Sequence, residues 1–520
     1  MPITICSSLL MPRLLAVCLG LLVWAGGGLA LAGEPLLWMA EGRPKAEAMV
    51  ALDILAEAET HGLAPADYGF LPLREAFGLA SRAAFDAPQA AQLDAQLTTA
   101  MTRYLNDLHF GRVSPRQVGA RFDAPSVDSF DALTHLQVAL AAGRLPAAVD
   151  QAAPANPQYQ QLRQALAEYR TLVGHPAWDR DLPTWPGRKL EPGMAYRGLA
   201  QLRERLVALG DLPAAQPAPA VYQGPIVEGV RAFQARHGLE ADGVIGKETL
   251  ANLNVTPAQR VRQIVVNLER LRWTPALGAP RMIAINVPEF MLRAYEVAAE
   301  RPQVKASMKV IIGKAMKTET SIFTEDMRFI EFSPYWNVPP SIARAETLPK
   351  LQRDAGYWHQ EGFEFVAGDG RVVTELTPEH LQAVRRGELR IRQRPGARNA
   401  LGDIKFVFPN ADHIYLHHTP AVSLFKRARR DFSHGCIRVE DPVALALFVL
   451  QNDPEWNETR IRESMSRGVS STLRLRQPVR VLIAYNTVVV QDDGRVHFYA
   501  DLYGHDARLE AGLRRSVPDN

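Results

Sequence analysis

The spacing of apolar residues changes once along this chain, close to Met282. Before that position apolar side chains recur every three or four residues, as at Leu199, Leu202 and Leu206, and that spacing places them on one face of a helix. After it, the runs 282–287 and 305–312 are short and rich in β-branched residues, which is typical of strands. The pattern therefore predicts a helical first half followed by a mostly-β second half.

The length of the chain indicates several domains, because 520 residues exceed what one ordinary hydrophobic core supports. We expect a multidomain α+β protein with a helical scaffold domain over 33–190, a three-helix unit over 194–255 and a mostly-β domain over 278–510. Within the last of these, residues 342–394 interrupt the strands with a mixed, mainly helical insertion. The 59 basic and 56 acidic residues nearly balance, which disfavours nucleic acid as a partner because such binding requires a basic stripe.

Residues 1–32 have the features of a secretory signal peptide. Arg13 is their single charge, residues 14–23 form an apolar run, and Ala30-Leu31-Ala32 has the small-residue pattern of a cleavage site. We therefore expect cleavage before Gly33 and export to the periplasm or cell wall. The alternative is an uncleaved anchor, so a membrane is a partner only if this segment is retained.

The cysteine count becomes informative once the first 32 residues are set aside. Cys6 and Cys18 lie in that segment, so the mature chain keeps only Cys436, which cannot form an internal disulfide. A lone thiol in an exported protein indicates a chemical use, the alternative being an inert, buried cysteine. Ser433-His434-Gly435 before it predicts a tight turn in which Gly435 lets backbone N–H groups approach a reacting carbonyl oxygen.

An imidazole is available to activate this thiol. A cysteine reacts as thiolate, and a nearby histidine is the usual means of forming thiolate near neutral pH. His417 precedes Cys436 in a stretch, 413–418, that we predict to be a strand. The period of two places Tyr415 and His417 on one face and His418 on the other, so one of the adjacent histidines faces the thiol easily.

The stretch from Ile414 to Glu440, with its His-His-Thr and Ser-His-Gly-Cys-Ile-Arg segments, resembles the L,D-transpeptidase catalytic signature of YkuD-type domains. His418 departs from it, since the family usually has a small or acidic residue there. Segments 230–234, 238–239 and 242–246 resemble a three-helix peptidoglycan-binding domain, the alternative being a bundle that only packs on its neighbours. The whole arrangement is similar to the larger, YcbB-like members, whose insertion at 342–394 forms a lid.

The resemblance implies a peptidoglycan L,D-transpeptidase that works through a cysteine acyl-enzyme and forms 3-3 cross-links without cofactor or metal. It implies Cys436 as nucleophile, His417 as proton donor and acceptor, and the His418 carbonyl as the group that orients His417. Backbone donors at Gly435 and Cys436 hold the oxyanion. The implied partners are stem peptides, glycan and cell-wall synthases, and the enzyme is expected to be a carbapenem target.

Further residues are candidates for binding the substrate. Arg438 lies two positions past the thiol and shares its face if the segment is extended, where it favours thiolate or binds a carboxylate; the alternative is an ion pair with Asp431 or Glu440. Ser433 is expected to stabilise the turn, and His434 to have no role in proton transfer. The full set of substrate-binding candidates is Arg438, Tyr415, Trp336, Asn337, Ser433 and His434.

Three other functions remain open on these residues. A zinc site at His413, His417, His418, His434 and Cys436 has enough ligand types, but the spacings match no common zinc pattern. An L,D-carboxypeptidase or endopeptidase on stem peptides requires the same residues, with water in place of the amine acceptor. A non-catalytic wall-binding protein requires only the three-helix unit.

Overall fold

The computed structural model describes residues 35–122, 130–215, 220–275, 278–298, 301–314 and 318–515. The predicted signal peptide at 1–32 lies outside these ranges. Within them, no helix combines the length and the apolar character that crossing a bilayer requires. The protein is multidomain, with helices in the first half and a mostly-β domain in the second.

The first region is a helical domain around one hydrophobic core. It begins with a short hairpin, β1 (Met39–Ala40) and β2 (Arg43–Pro44), and continues with α1 (Ala46–Ala56), α2 (Phe70–Arg82), α3 (Ala87–Phe110), α4 (Ala132–Ala141), α5 (Leu145–Ala152) and α6 (Pro157–Thr171). The longest helix, α3, starts with a capping box in which Asp86 and Gln89 satisfy each other's backbone N–H groups. It ends at Gly111, whose φ is 78°, as the sequence predicts.

The second region is a compact three-helix unit made of α7 (Leu199–Ala208), α8 (Pro225–Arg236) and α9 (Lys247–Asn254). Its helices enclose their own apolar core. Within the unit, a buried ion pair forms where Arg236 donates to Asp211 at 2.5 and 2.7 Å, and Arg236 also donates to the Val496 carbonyl of the C-terminal hairpin. Arg495, from the C-terminal hairpin, contacts the same carboxylate. These contacts fix the unit against the mostly-β domain.

Helix α10 (Pro257–Trp273) has a larger role than the connection that its sequence spacing predicts. A capping box of Thr256 and Gln259 starts it, and it then runs between the first helical core and the large sheet. Its last turns bury charged side chains, including Glu269 and Arg272. The helix is therefore a central support shared by both halves of the molecule.

The large sheet contains β4 (Arg281–Asn286), β5 (Met291–Ala298), β6 (Arg301–Gly313), β7 (Ile322–Phe332), β12 (Ile404–Val407), β13 (Leu416–His417), β14 (Asp431–Ser433), β15 (Ile437–Val439) and β16 (Ser471–Ala484). The path runs β12-β13-β15-β6-β5-β4-β16-β7, and β12 also pairs with β7. These strands therefore close around the main apolar core. One short strand, β3 (Ala120–Arg121), comes from the first helical region and pairs with β7.

The insertion predicted over 342–394 is less helical than expected. It contains α11 (Pro340–Ile342), α12 (Leu348–Arg353), α13 (Gly356–Gln360) and α14 (Pro378–Arg386), with a π-helical segment at Ala343–Thr347. It also contains β9 (Phe363–Ala367), β10 (Val372–Val373) and β11 (Leu389–Gln393), and β8 (Trp336–Asn337), which precedes the predicted bounds, joins their sheet in the order β10-β9-β11-β8. The four strands and the helices share a separate apolar core, so the insertion packs as a small subdomain.

Helices α15 (Pro442–Leu450), α16 (Glu458–Ser466) and α17 (His505–Arg515) and the hairpin β17 (Val488–Val490) and β18 (Val496–Phe498) complete the chain. Asp441-Pro442 is the sequence signal for the start of α15, and the Asp441 side chain accepts from the Ala444 N–H. Asp492-Asp493-Gly494 is the signal for the β17–β18 turn, whereas no signal indicates that the preceding strand β16 lies parallel to β4.

Two local predictions are wrong. The stretch 413–418 is paired as a strand only at Leu416–His417. The reason is Asn410, whose side-chain amide binds both the N–H and the carbonyl of Ile414 and so holds that end in a turn. The three prolines of 334–341 predict no regular structure there, because each removes a backbone donor and fixes φ, yet Trp336–Asn337 pairs with β11 since the prolines lie outside the paired residues.

Candidate active site

The turn that carries Cys436 lies between β14 and β15 and is closed by its own side chains. The Ser433 hydroxyl donates to the Cys436 carbonyl at 2.5 Å and accepts from the Gly435 N–H at 3.2 Å. Gly435 has a φ of 111°, which side-chain-bearing residues rarely adopt. The Thr320 hydroxyl, donating to the Gly435 carbonyl at 2.8 Å, fixes the turn from the neighbouring segment.

The sulfur of Cys436 is half-buried and has polar neighbours on one side. Its Sγ lies 3.6 Å from the His413 carbonyl oxygen, and the Tyr415 side chain is a polar neighbour that favours the thiolate. Burial raises the pKa of the Cys436 thiol, while Tyr415, Lys405 and Arg438 act in the opposite direction. The free protein therefore holds a thiol whose ionisation depends on these neighbours.

His417 is held in one orientation by the backbone that follows it. Its Nδ1 lies 2.5 Å from the His418 carbonyl oxygen, the contact that the resemblance implied, whereas its catalytic role stays a prediction. The ring is 4 % exposed, and burial, reinforced by Arg438, lowers the pKa of His417 to about 3. The imidazole is therefore neutral at pH 7, with Nδ1 as the donor to the carbonyl.

The strand register brings Cys436 and His417 to the same face of the sheet. Parallel strands β13 and β15 pair His417 with Arg438, and the Ile437 N–H donates to the Tyr415 carbonyl at 3.1 Å. Residues directly opposite on neighbouring strands share a face, and so do residues two positions apart on one strand. The rings of Tyr415 and His417, whose centroids are 5.7 Å apart, thus lie beside the thiol-bearing strand.

Arg438 occupies this face without the ion pairs that the alternative interpretation required. Asp431 binds Arg429 at 2.7 Å, and Glu440 accepts from the Lys309 N–H. The Nε of Arg438 is buried without a hydrogen-bond partner among the described residues. Burial lowers the pKa of Arg438 and the neighbouring Cys436 raises it. The guanidinium is therefore available to a negative group beside the sulfur.

Four of the predicted site residues make contacts of other kinds in this structure, and their roles toward a substrate stay predictions. The Gly435 N–H, predicted to hold an oxyanion, already donates to Ser433. Ser433 is 3 % exposed and closes the turn, so it does not face a substrate. Trp336 and Asn337 pair with Gln393 and Arg392 of strand β11.

His434 joins the insertion to the turn. Its Nε2 lies 2.7 Å from Glu346 Oε1, and both side chains are 43 % exposed. Glu346 belongs to the π-helical segment, a geometry that is frequent at functional sites. The pair holds the insertion against the turn that carries Cys436. His434 therefore contacts the insertion in this structure, and its role in binding substrate stays a prediction.

Sequence reasoning missed two charged residues of this face, Lys405 and Glu331, whose side chains lie 3.1 Å apart. Residues alternate between buried and partly exposed along 404–407, so Lys405 lies on the other face of the strand from the buried Phe406. That alternation was the sequence signal that could have placed Lys405 on the face of the site. Across the described ranges, no group of three His, Cys, Asp or Glu side chains is arranged to hold a metal ion.

Three segments of the chain match known families. Residues 280–461 match the family described as "L,D-transpeptidase catalytic domain", residues 197–253 that described as "Putative peptidoglycan binding domain", and residues 30–166 that described as "Scaffold domain". A curated protein of Haemophilus influenzae named "Putative L,D-transpeptidase" is 28% identical over 248 residues, which cover 48% of this chain and 49% of the relative. The chain thus spans about half the length of the curated relative it matches.

Two solved structures also align with the chain. One is an L,D-transpeptidase segment from Xylanimonas cellulosilytica, 16% identical, covering 58% of this chain and 100% of that chain, with a TM-score of 0.17. The other is a fused Zn-dependent amidase/peptidase/peptidoglycan-binding domain-containing protein from Clostridium acetobutylicum, 12% identical, covering 57% and 99%, with the same TM-score of 0.17. At that score neither bears on the fold.

Proposed function

Because the chain carries an L,D-transpeptidase catalytic domain and a peptidoglycan-binding domain, we propose that it forms 3-3 cross-links in peptidoglycan. The enzyme transfers a donor stem tetrapeptide, through a thioester on Cys436, to the amine of an acceptor stem peptide. The observation that carries this proposal is the placement of Cys436 and His417 on one face of the sheet, at a turn whose sulfur is half-buried. Export to the periplasm and association with cell-wall synthases belong to the same proposal.

The acylation step uses the neutral imidazole. As the Cys436 sulfur bonds to the carbonyl carbon of the donor, the thiol proton passes to His417, which is unprotonated at pH 7. The carbonyl oxygen becomes an oxyanion. Since the Gly435 N–H is engaged, the Cys436 N–H is the donor that remains of the two expected. Collapse of the adduct breaks the amide C–N bond, and the leaving D-residue takes the proton from His417.

The transfer step reverses these roles. The acceptor amine attacks the thioester and gives its proton to His417, the C–S bond breaks, and the sulfur recovers a proton from the imidazolium. Arg438 stands beside the sulfur with its Nε unpartnered and binds a carboxylate of the stem peptide. The insertion, joined to the turn through Glu346 and His434, shields the thioester from water.

Product analysis of purified disaccharide-tetrapeptides tests the function. We expect a cross-linked dimer, with one terminal D-residue lost for each link formed, and none from Cys436→Ala. Arg462→Ala, at an exposed pair with Glu458 on α16, is the matched control and should retain full activity. Tripeptide without dimer would instead establish a carboxypeptidase. Equal binding to cell-wall sacculi by the native protein and Cys436→Ala, with no turnover by either, would establish a wall-binding protein.

A further inference from the structure

A row of charged side chains crosses the sheet and ends at the active site. The strand registers set Glu331 opposite Lys405, Lys405 opposite His417, and His417 opposite Arg438. Directly opposed residues on neighbouring strands lie on the same face with their side chains in contact range. The face that carries the thiol therefore also carries an ammonium and a carboxylate from two further strands.

Lys405 is held in a defined position within this row. Its Nζ lies 3.1 Å from Glu331 Oε2 and 4.4 Å from the centroid of the Tyr415 ring. The lysine side chain is only 17% exposed, so its charge is weakly screened by water. An ammonium over an aromatic ring is attracted by the electrons of the ring, and here it withdraws electron density from the phenol. That withdrawal makes the Tyr415 hydroxyl a stronger donor toward Cys436.

The site needs such a cation because His417 does not supply one. Its pKa of about 3 leaves the ring neutral at pH 7, so the free protein has no imidazolium to balance a thiolate. Burial, which raises the pKa of the Cys436 thiol, makes a compensating charge more important. Arg438 supplies one positive charge on β15, and Lys405 supplies a second from the other side of Tyr415.

We propose that Lys405 is a positioning residue that stabilises the Cys436 thiolate through the Tyr415 hydroxyl, with Glu331 holding the ammonium over the phenol ring. This proposal rests on the acyl-transfer function proposed above, and it adds two strands, β7 and β12, to the catalytic apparatus. The charged and titratable groups that face the sulfur and Lys405 from the packed strands are Glu331, Tyr415, His417, Arg438 and Arg474.

The test is the rate of alkylation of Cys436 by iodoacetamide between pH 6 and pH 10, followed by peptide mass. In Lys405→Met we expect the midpoint of the rate profile to move to higher pH and the rate at pH 7 to fall by about threefold or more. Lys405→Arg keeps a cation that stacks on the ring and should restore the native midpoint. An unchanged midpoint in folded Lys405→Met overturns the proposal, with the thermal midpoint as the control for folding.

A double-mutant cycle shows whether the lysine acts through the tyrosine. Tyr415→Phe removes the hydroxyl, so adding Lys405→Met should cause little further change in alkylation rate. Additive effects of the two substitutions would contradict the proposed path through Tyr415. Because alkylation requires no peptidoglycan, a native profile that depends on Lys405 without any cross-linked product would refute the proposed function alone. If the native enzyme forms cross-links but the pH profile of its alkylation rate is unchanged in Lys405→Met, this proposal alone would be refuted.

Discussion

Arg272 and Arg438 are both withdrawn from water, each beside a buried histidine, yet their partners differ. Arg272 donates to Glu269 at 2.6 Å and to the His61 carbonyl at 2.5 Å. Burial alone would lower its pKa, but Tyr159 and Glu269 outweigh that effect and raise it. Arg438 forms no ion pair with a carboxylate of the described ranges, and burial lowers its pKa with Cys436 acting in the opposite direction.

The difference separates a structural charge from a functional one. Breaking a buried ion pair is costly because it leaves an uncompensated charge, so the Glu269–Arg272 pair holds the junction of α10 with the first helical domain. A buried cation that the fold leaves without a counter-charge is instead available to a ligand or to a developing negative group. The predictions below therefore expect stability effects at Arg272 and activity effects at Arg438.

Removing the carboxylate of the structural pair should have the largest effect. Glu269→Ala leaves Arg272 buried without a carboxylate and leaves the backbone N–H groups of Arg112 and Val113 without the acceptor that Glu269 Oε1 provides. We expect the free energy of unfolding to fall by about 3–5 kcal/mol, measured by urea denaturation. Glu455→Ala, at an exposed pair with Arg460, is the control and should change stability by less than about 1 kcal/mol. A small loss in Glu269→Ala would remove the contrast between the two arginines.

Removing the functional cation should affect catalysis and spare the fold. For Arg438→Met we expect the rate of cross-linking to fall by about 10- to 100-fold, because a charge-assisted hydrogen bond contributes about 1.5–3 kcal/mol. Its unfolding free energy should change by less than about 1 kcal/mol, since no ion pair is broken. Product assays and urea denaturation of the same preparation measure both. A large stability loss with retained activity would reverse the assignment.

Buried histidines, among them the two that lie beside these arginines, His61 and His417, predict a loss of stability in acid. Burial lowers the pKa of both His61 and His417 to about 3. Between about pH 6.5 and pH 3, each imidazole is therefore protonated in the unfolded chain and neutral in the folded one. Stability from each is complete above the ordinary pKa of about 6.5 and is lost as pH falls toward 3. At pH 5 the loss is about 2 kcal/mol per histidine. Urea midpoints at pH 7 and pH 5 measure it, and His61→Phe should reduce the difference between them.

The smallest predicted effect is at the start of the helix that carries Arg272. The Thr256 hydroxyl accepts from the Gln259 N–H at 3.3 Å and caps α10. Thr256→Ala should cost about 1 kcal/mol, and Thr256→Ser should be close to native because it keeps the hydroxyl. Equal stability of the alanine and serine variants would show that the Thr256 cap does not stabilise the first turn of α10, and that the Glu269–Arg272 junction is sufficient to hold the helix.

Much of the architecture was predictable because its signals are local. Helical spacing ending at Gly111, the Asp441 cap of α15 and the strand runs before Phe332 each depend on residues close in sequence. Ser433-His434-Gly435 predicted a tight turn for the same reason, and the structure has that turn. The helix end at Gly111, the start of α15 and these strands were predicted correctly, because periodicity and capping act within a few residues.

What the sequence did not reveal depends on contacts between distant segments. The buried Glu269 carboxylate accepts hydrogen bonds from backbone N–H groups more than 150 positions earlier in the chain. Strand β3, from the helical region, joins the large sheet. Likewise the position of Lys405 over Tyr415 follows from the order β12-β13-β15. Engagement of the Gly435 N–H depended on a side-chain rotamer of Ser433, on which residue spacing carries no information.

The most direct test of the proposed nucleophile is the intact mass of the protein after incubation with a carbapenem, followed by peptide mapping. We predict one covalent adduct, located on Cys436, with slower formation in His417→Ala and none in Cys436→Ala. An adduct that persists in Cys436→Ala, or a native protein that stays unmodified while remaining folded, would contradict the assignment of Cys436 as the acylated residue.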